Sequence, residues 1–80
     1  MNKAEIIAIL KEAAHDQNVK KNISEAELKN SLKELGIDSL QGMGIIIYME
    51  NKIGKQVADE ELTKIKTGND LVEVFHKLSK

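Results

Sequence analysis

Ser24 with Glu27, Asp38 with Gln41, and Thr67 with Asp70 each set a side chain suited to cap a helix three positions before one able to reach back to it. Such pairs satisfy amide groups that a helix start would otherwise leave without partners. Apolar residues follow each pair at helical spacing: Leu28, Leu32 and Leu35; then Leu40, Met43, Ile45 to Ile47, Tyr48, Met49 and Ile53; then Leu71, Val72, Val74, Phe75 and Leu78. Upstream, Lys3 to His15 places Ile6, Ile7, Leu10, Ala13 and Ala14 on one stripe. Gly36 and Gly54 stand where two of these stretches should end, because glycine accepts the left-handed backbone of a helix terminus. With no proline anywhere to interrupt them, the periodic segments predict a chain made of helices.

The expected order is a helix from Lys3 to about His15, a polar linker over Asp16–Asn22, and a second helical piece from Ser24 through Leu35. A helix from Ser39 to Ile53 comes next, then about two turns opened by Asp59-Glu60-Glu61 and carrying Leu62 and Ile65. A last helix follows Thr67-Gly68-Asn69-Asp70. Ile45 to Ile47 alone could form a strand, but the segment's length and its caps favour helix. The whole predicts a single all-α domain over 1–80, a four-helix bundle with a long first connection and a short third helix. The 39–53 segment is apolar over more than one stripe, so it should be either the most buried helix or one that offers an apolar face to a visitor.

Ten Ile, eight Leu and four Val stand against one Tyr, one Phe and no Trp, so the core is expected to be shaped by aliphatic packing alone. No cysteine is present to add a disulfide. The formal net charge is −1 and no arginine occurs, which argues against phosphate-backbone binding and base reading, and two aromatics offer no stacking platform for single strands. No apolar run approaches the length of a membrane span, and the first residues resemble neither a secretory nor a transit leader; a cytoplasmic location is expected. His15 and His76 lack companions at metal-ligand spacing, and the carboxylates are interspersed with lysines, so no metal site and no active site is expected.

One constellation is unusual: Leu35-Gly36-Ile37-Asp38-Ser39-Leu40. It sets a primary hydroxyl on the first turn of a helix, after a glycine-containing loop that holds it clear of the bundle. A phosphodiester on Ser39 would suit the helix N-terminus, where free amides and the helix dipole favour an anion. Asp38 would cap the helix and could help an incoming enzyme recruit a cation. By themselves, Asp38 and Ser39 also fit a role as capping residues only.

This hexapeptide resembles the attachment motif of the acyl carrier protein family. The spacing beyond it is similar too: Ile53-Gly54, Val57, Asp59-Glu60-Glu61-Leu62, Lys64-Ile65 and Thr67-Gly68-Asn69-Asp70-Leu71. The resemblance covers essentially the whole chain and is strongest from Leu32 to Phe75. It implies a non-catalytic carrier whose Ser39 receives 4′-phosphopantetheine from coenzyme A, with Asp38 and Leu40 beside the attachment point. It implies acyl intermediates held as thioesters on that arm for fatty acid, polyketide or related specialised biosynthesis, the reactive sulfur arriving with the arm. The 39–53 helix would dock partners through Gln41, Met43, Gly44, Ile47 and Glu50. Met43, Ile46 and Ile65 would line the space for an acyl chain, although a helical apolar stripe is ordinarily core. The implied partners are a phosphopantetheinyl transferase and acyl-transferring or synthase enzymes, met by a monomer.

Departures from the family pattern stand out. The docking helix is usually acidic in carriers of primary fatty acid synthesis, whereas here only Glu50 is acidic, which weakens electrostatic complementarity and points to a specialised carrier. Gly42 and Gly44 are either spacers or bare backbone for a close-docking partner, and the family's proline before the third helix is Ala58. The alternative from another class is an unmodified helical module that docks through the same helix.

Overall fold

The computed structural model describes Met1–Lys80 in full and is all-helical. α1 spans Lys3–Asp16, a single 3₁₀ turn covers Glu25–Glu27, and α2, α3 and α4 span Ser39–Ile53, Asp59–Leu62 and Gly68–Leu78. α1 packs against both α2 and α4. It presents Ile6, Leu10, Ala13 and Ala14, and the two alanines allow close approach. α4 answers with Leu71, Val72, Val74 and Phe75. Fifteen buried apolar residues form one cluster. Phe75 is its largest member and fully enclosed, which corrects the expectation of a core shaped by aliphatics alone.

Each α-helix longer than one turn begins on a reciprocal cap. Asp38 and Thr67 fill the predicted places at α2 and α4, and Asn2 with Glu5, a pair of the same type not among those predicted, does the same at α1. α2 ends at Gly54 with φ +81°, as its sequence position predicts.

The second helical piece is not a helix. Helix formation there stops after the turn at Glu25–Glu27, because the backbone of the next residues is engaged by the start of α4. The Gly68 and Asn69 amides donate to the carbonyls of Asn30 (3.2 Å) and Leu28 (2.7 Å), while the Leu32 amide donates to Lys66 O (3.1 Å). The first amides of a helix have no partner within it, so this connection completes the cap of α4 that Thr67 and Asp70 begin. Its Ile23, Leu28, Leu35 and Ile37 are nonetheless core residues. Gly68 is a requirement of that contact: a Cβ there would lie 2.9 Å from Leu28 Cδ2 and 3.0 Å from Leu28 O.

α3 is also shorter than the two turns expected. It is one turn, Asp59–Leu62, and Ile65 lies beyond it in a tighter turn closed by Ile65 N donating to Leu62 O. Three acids crowd its first turn with no side-chain cap, and the Thr63 hydroxyl takes the Glu60 carbonyl at 2.7 Å. Ala58 precedes it at φ −66°, an angle that proline also adopts.

Candidate functional site

The site begins with the turn that launches α2. Gly36 adopts φ +80°, which lets Ile37 N reach Leu32 O (2.9 Å) and Gly36 N reach Lys33 O (3.0 Å). This glycine-ended turn reverses the chain between two buried anchors, Leu35 and Ile37. Beyond Ile37, Asp38, Ser39 and Leu40 are all exposed. Asp38 Oδ1 accepts from Gln41 N at 2.7 Å, and Gln41 Oε1 accepts from Asp38 N at 3.1 Å. The Ser39 hydroxyl makes no hydrogen bond within the chain. It therefore stands in solvent on a fixed turn, beside the unbonded first amides of a fifteen-residue helix.

Next to Ser39 opens a groove of about 440 Å³ between α2 and the segments around Leu32 and Ile65. Its apolar lining is Leu32, Ile37, Met43, Ile46, Leu62 and Ile65, with Asp38 and Ser39 at its edge. The three residues expected to face an acyl chain, Met43, Ile46 and Ile65, are thus brought to one surface from two distant segments. Met43 is not core: it is 63% exposed. A hollow along α1, lined by Lys11, His15, Lys21 and Ser24 among others, lies on a different part of the molecule.

The sequence model of the phosphopantetheine attachment site matches residues 5–75. An acyl carrier protein homolog of Mycoplasma genitalium is 38% identical over an alignment covering 100% of this chain and 96% of its own length. One from Ureaplasma parvum is 47% identical over 66% of this chain and 69% of its own length. The acyl carrier protein of Myxococcus xanthus is 32% identical over 90% of this chain and 91% of its own. No solved structure gives a significant match. The chain belongs to the acyl carrier protein family. It is a non-catalytic carrier whose prosthetic group is 4′-phosphopantetheine.

The carrier's α2 sorts the expected docking residues into two groups. Leu40, Met43 and Ile47, at 80%, 63% and 53% exposure, form an apolar stripe along the outer face. Gln41, Gly44 and Glu50 instead have partners inside the molecule. Gln41 Nε2 donates to Gln17 O (3.2 Å) and to Asn18 O (3.4 Å). The space a Cβ on Gly44 would take is occupied by the Gln17 side chain, so its bare backbone serves a contact within the carrier. Glu50 Oε2 accepts from Val57 N at 2.7 Å, fixing the loop after α2. The sole acid of this helix is therefore tied to its own chain. Leu40 was singled out in the sequence only beside the attachment point; its spacing of three and seven from Met43 and Ile47 was the available signal for the stripe.

On the side of α2 that faces α1, polar and charged side chains tie the two helices together. Tyr48 on α2 donates its hydroxyl to Glu12 Oε2 on α1 at 2.6 Å, which pushes the phenol up to about 12 and lowers the Glu12 carboxyl. Lys52 reaches the same oxygen at 3.2 Å. These exposed contacts staple α1 to α2 but contribute little each. No group of three or more His, Asp or Glu side chains gathers as a metal site, and no helix is long and apolar enough to cross a membrane.

Proposed function

We propose that Ser39 is where the 4′-phosphopantetheine arm is attached, and that the carrier presents acyl thioesters on it to enzymes that dock on the outer face of α2. The observation that carries this reading is the placement of Ser39: an exposed, unbonded hydroxyl on the first turn of α2, at the edge of the apolar groove. In the attachment step the Ser39 Oγ proton passes to a base of the transferase. An Oγ–P bond then forms as a P–O bond of the coenzyme A diphosphate breaks, and adenosine 3′,5′-bisphosphate leaves. The free amides of Ser39 and Leu40 offer the resulting phosphodiester a favourable field. Asp38 keeps one carboxylate oxygen outside its cap bond, available to a cation brought by the transferase.

When attached, the arm supplies a thiol that holds acyl groups as thioesters. The chain's own contribution is shelter and recognition. Met43, Ile46 and Ile65 would receive the acyl chain, with the thioether of Met43 adapting its shape to the cargo. Leu40, Met43 and Ile47 would form the contact with partners, and the near absence of free acid on α2 favours synthases that recognise an apolar surface over those that read an acidic helix. Fatty acid, polyketide and related specialised pathways all use this chemistry; the neutral docking face favours a specialised one, with the carrier acting as a monomer in the cytoplasm.

The test is an intact-mass measurement after incubation with coenzyme A and a broad-specificity phosphopantetheinyl transferase. One added arm is expected on the unaltered chain and none on Ser39→Ala. Absence of the arm on the unaltered chain overturns the reading and leaves an unmodified docking module. Loading the modified chain with a medium-length acyl group should then shift the methyl NMR signals of Met43, Ile46 and Ile65; unshifted signals would remove the groove from the proposal.

A further inference from the structure

We infer that Gln41 is a positioning residue for the modification of Ser39: its side-chain amide fastens the first turn of α2 to the corner where α1 ends, and so holds the serine hydroxyl in a fixed place. This rests on the reading of Ser39 as the attachment point. Gln41 is bonded on both sides of its amide. Its carbonyl oxygen accepts from Asp38 N at 3.1 Å, and its NH₂ donates to Gln17 O at 3.2 Å and Asn18 O at 3.4 Å.

The two carbonyls it meets belong to the end of α1, where helical carbonyls lack partners within the helix. Two earlier carbonyls have backbone partners: Ala14 O accepts from Val19 N and His15 O from Asn18 N. Gln41 is the sole donor in the chain to Gln17 O and Asn18 O. Asn18 turns this corner at φ +61°, the one positive φ outside glycine; asparagine is among the few residues that tolerate it. The Gln17 side chain, lying over the bare backbone of Gly44, makes a second contact across the same seam.

An acid at position 41 could still accept from Asp38 N but would have no N–H to offer the corner. Ser39 has no hydrogen bond of its own through the side chain, so its position is inherited from Asp38 and Gln41. The seam therefore couples the α1 corner to the hydroxyl that is to be modified.

The experiment compares the unaltered carrier with Gln41→Glu, which keeps the acceptor and loses the donor, and with Asn18→Val, which disfavours the positive φ and leaves α2 unchanged. Both should lower kcat/KM for arm transfer by about three- to tenfold, the scale of one or two neutral hydrogen bonds used in positioning. Both should also speed hydrogen exchange at the Gln41 and Gly42 amides in unmodified protein, and Asn18→Gly, which accepts the turn, should restore both readouts. Unchanged transfer and exchange in the two variants overturn the inference. So does a loss confined to Gln41→Glu, which would assign the effect to the added charge. If the unaltered chain takes no arm at all, the reading of Ser39 fails, and exchange at Gln41 and Gly42 still decides whether the amide holds this turn.

Discussion

α2 and α4 start in the same way and use their apolar residues differently. Both open on a reciprocal cap, yet α4 encloses Leu71, Val72, Val74 and Phe75 within eleven residues, whereas α2, fifteen residues long, fully buries only Ile45 and Met49. α2 is the more apolar of the two in sequence, but its surplus, Leu40, Met43 and Ile47, lies in solvent. Burial of apolar area is the main favourable term in folding, so α4 works for stability. The exposed stripe of α2 adds little to it, which leaves that face free for the docking proposed above.

The largest expected effect tests that division directly. Phe75→Ala should cost about 3–5 kcal/mol by urea unfolding, as for other large enclosed aromatics. Leu40→Ala and Ile47→Ala should each stay within about 0.5 kcal/mol of the unaltered chain. A loss of about 2 kcal/mol from either would mean that the stripe is part of the fold, and the contrast would collapse.

Glycines give a second, smaller contrast. Gly68→Ala should destabilise by about 1–3 kcal/mol, because its Cβ would press on the Leu28 carbonyl and the connection would have to move. Gly42→Ala in α2 meets only Ile37 Cγ2 at 3.7 Å and should stabilise by up to about 1 kcal/mol through helix propensity. Thermal unfolding of the two variants should therefore shift in opposite directions.

The smallest effect lies in the caps. The reaching residue is an amide in α2, Gln41, and a carboxylate in α4, Asp70. Amides of Lys66 and Thr67 donate to Asp70 Oδ2, both at 3.0 Å, and lower its pKa. A depressed carboxyl adds stability above its unfolded pKa of about 3.9, and that stability is lost as pH falls through the lower folded value. Asp70→Asn keeps an acceptor and removes the titration. Its stability relative to the unaltered chain should be lower at pH 7, and the gap should narrow as pH falls below about 4. A gap that does not change with pH would show that the α4 cap acts as an uncharged one.

Most of this architecture was legible because its causes are local. The caps at Asp38 and Thr67, the glycine ends at positions 36 and 54 and the amphipathic stripes depend on residues within one or two turns of each other. The stretch around Leu28 and Leu32 differs for the opposite reason: its spacing is helical, but the carbonyls of Leu28 and Asn30 are taken by the amides of Asn69 and Gly68, far along the chain in α4. α3 is shorter than its spacing predicts: Ile65 lies at helical spacing from Leu62, but its amide closes a tighter turn.

By itself the sequence determined that the chain is helical, where α1, α2 and α4 run, and that a serine in a motif resembling an attachment site opens the second α-helix, because capping, periodicity and motif spacing are short-range properties of the chain. Tertiary structure alone decided which apolar residues are core. It buried Phe75, left Met43 in solvent, gathered Met43, Ile46 and Ile65 beside Ser39, and turned Gln41, Gly44 and Glu50 toward partners within the molecule. The physical reason is that a helix can bury only the sides on which other elements pack, and which sides those are depends on contacts between segments far apart in the chain.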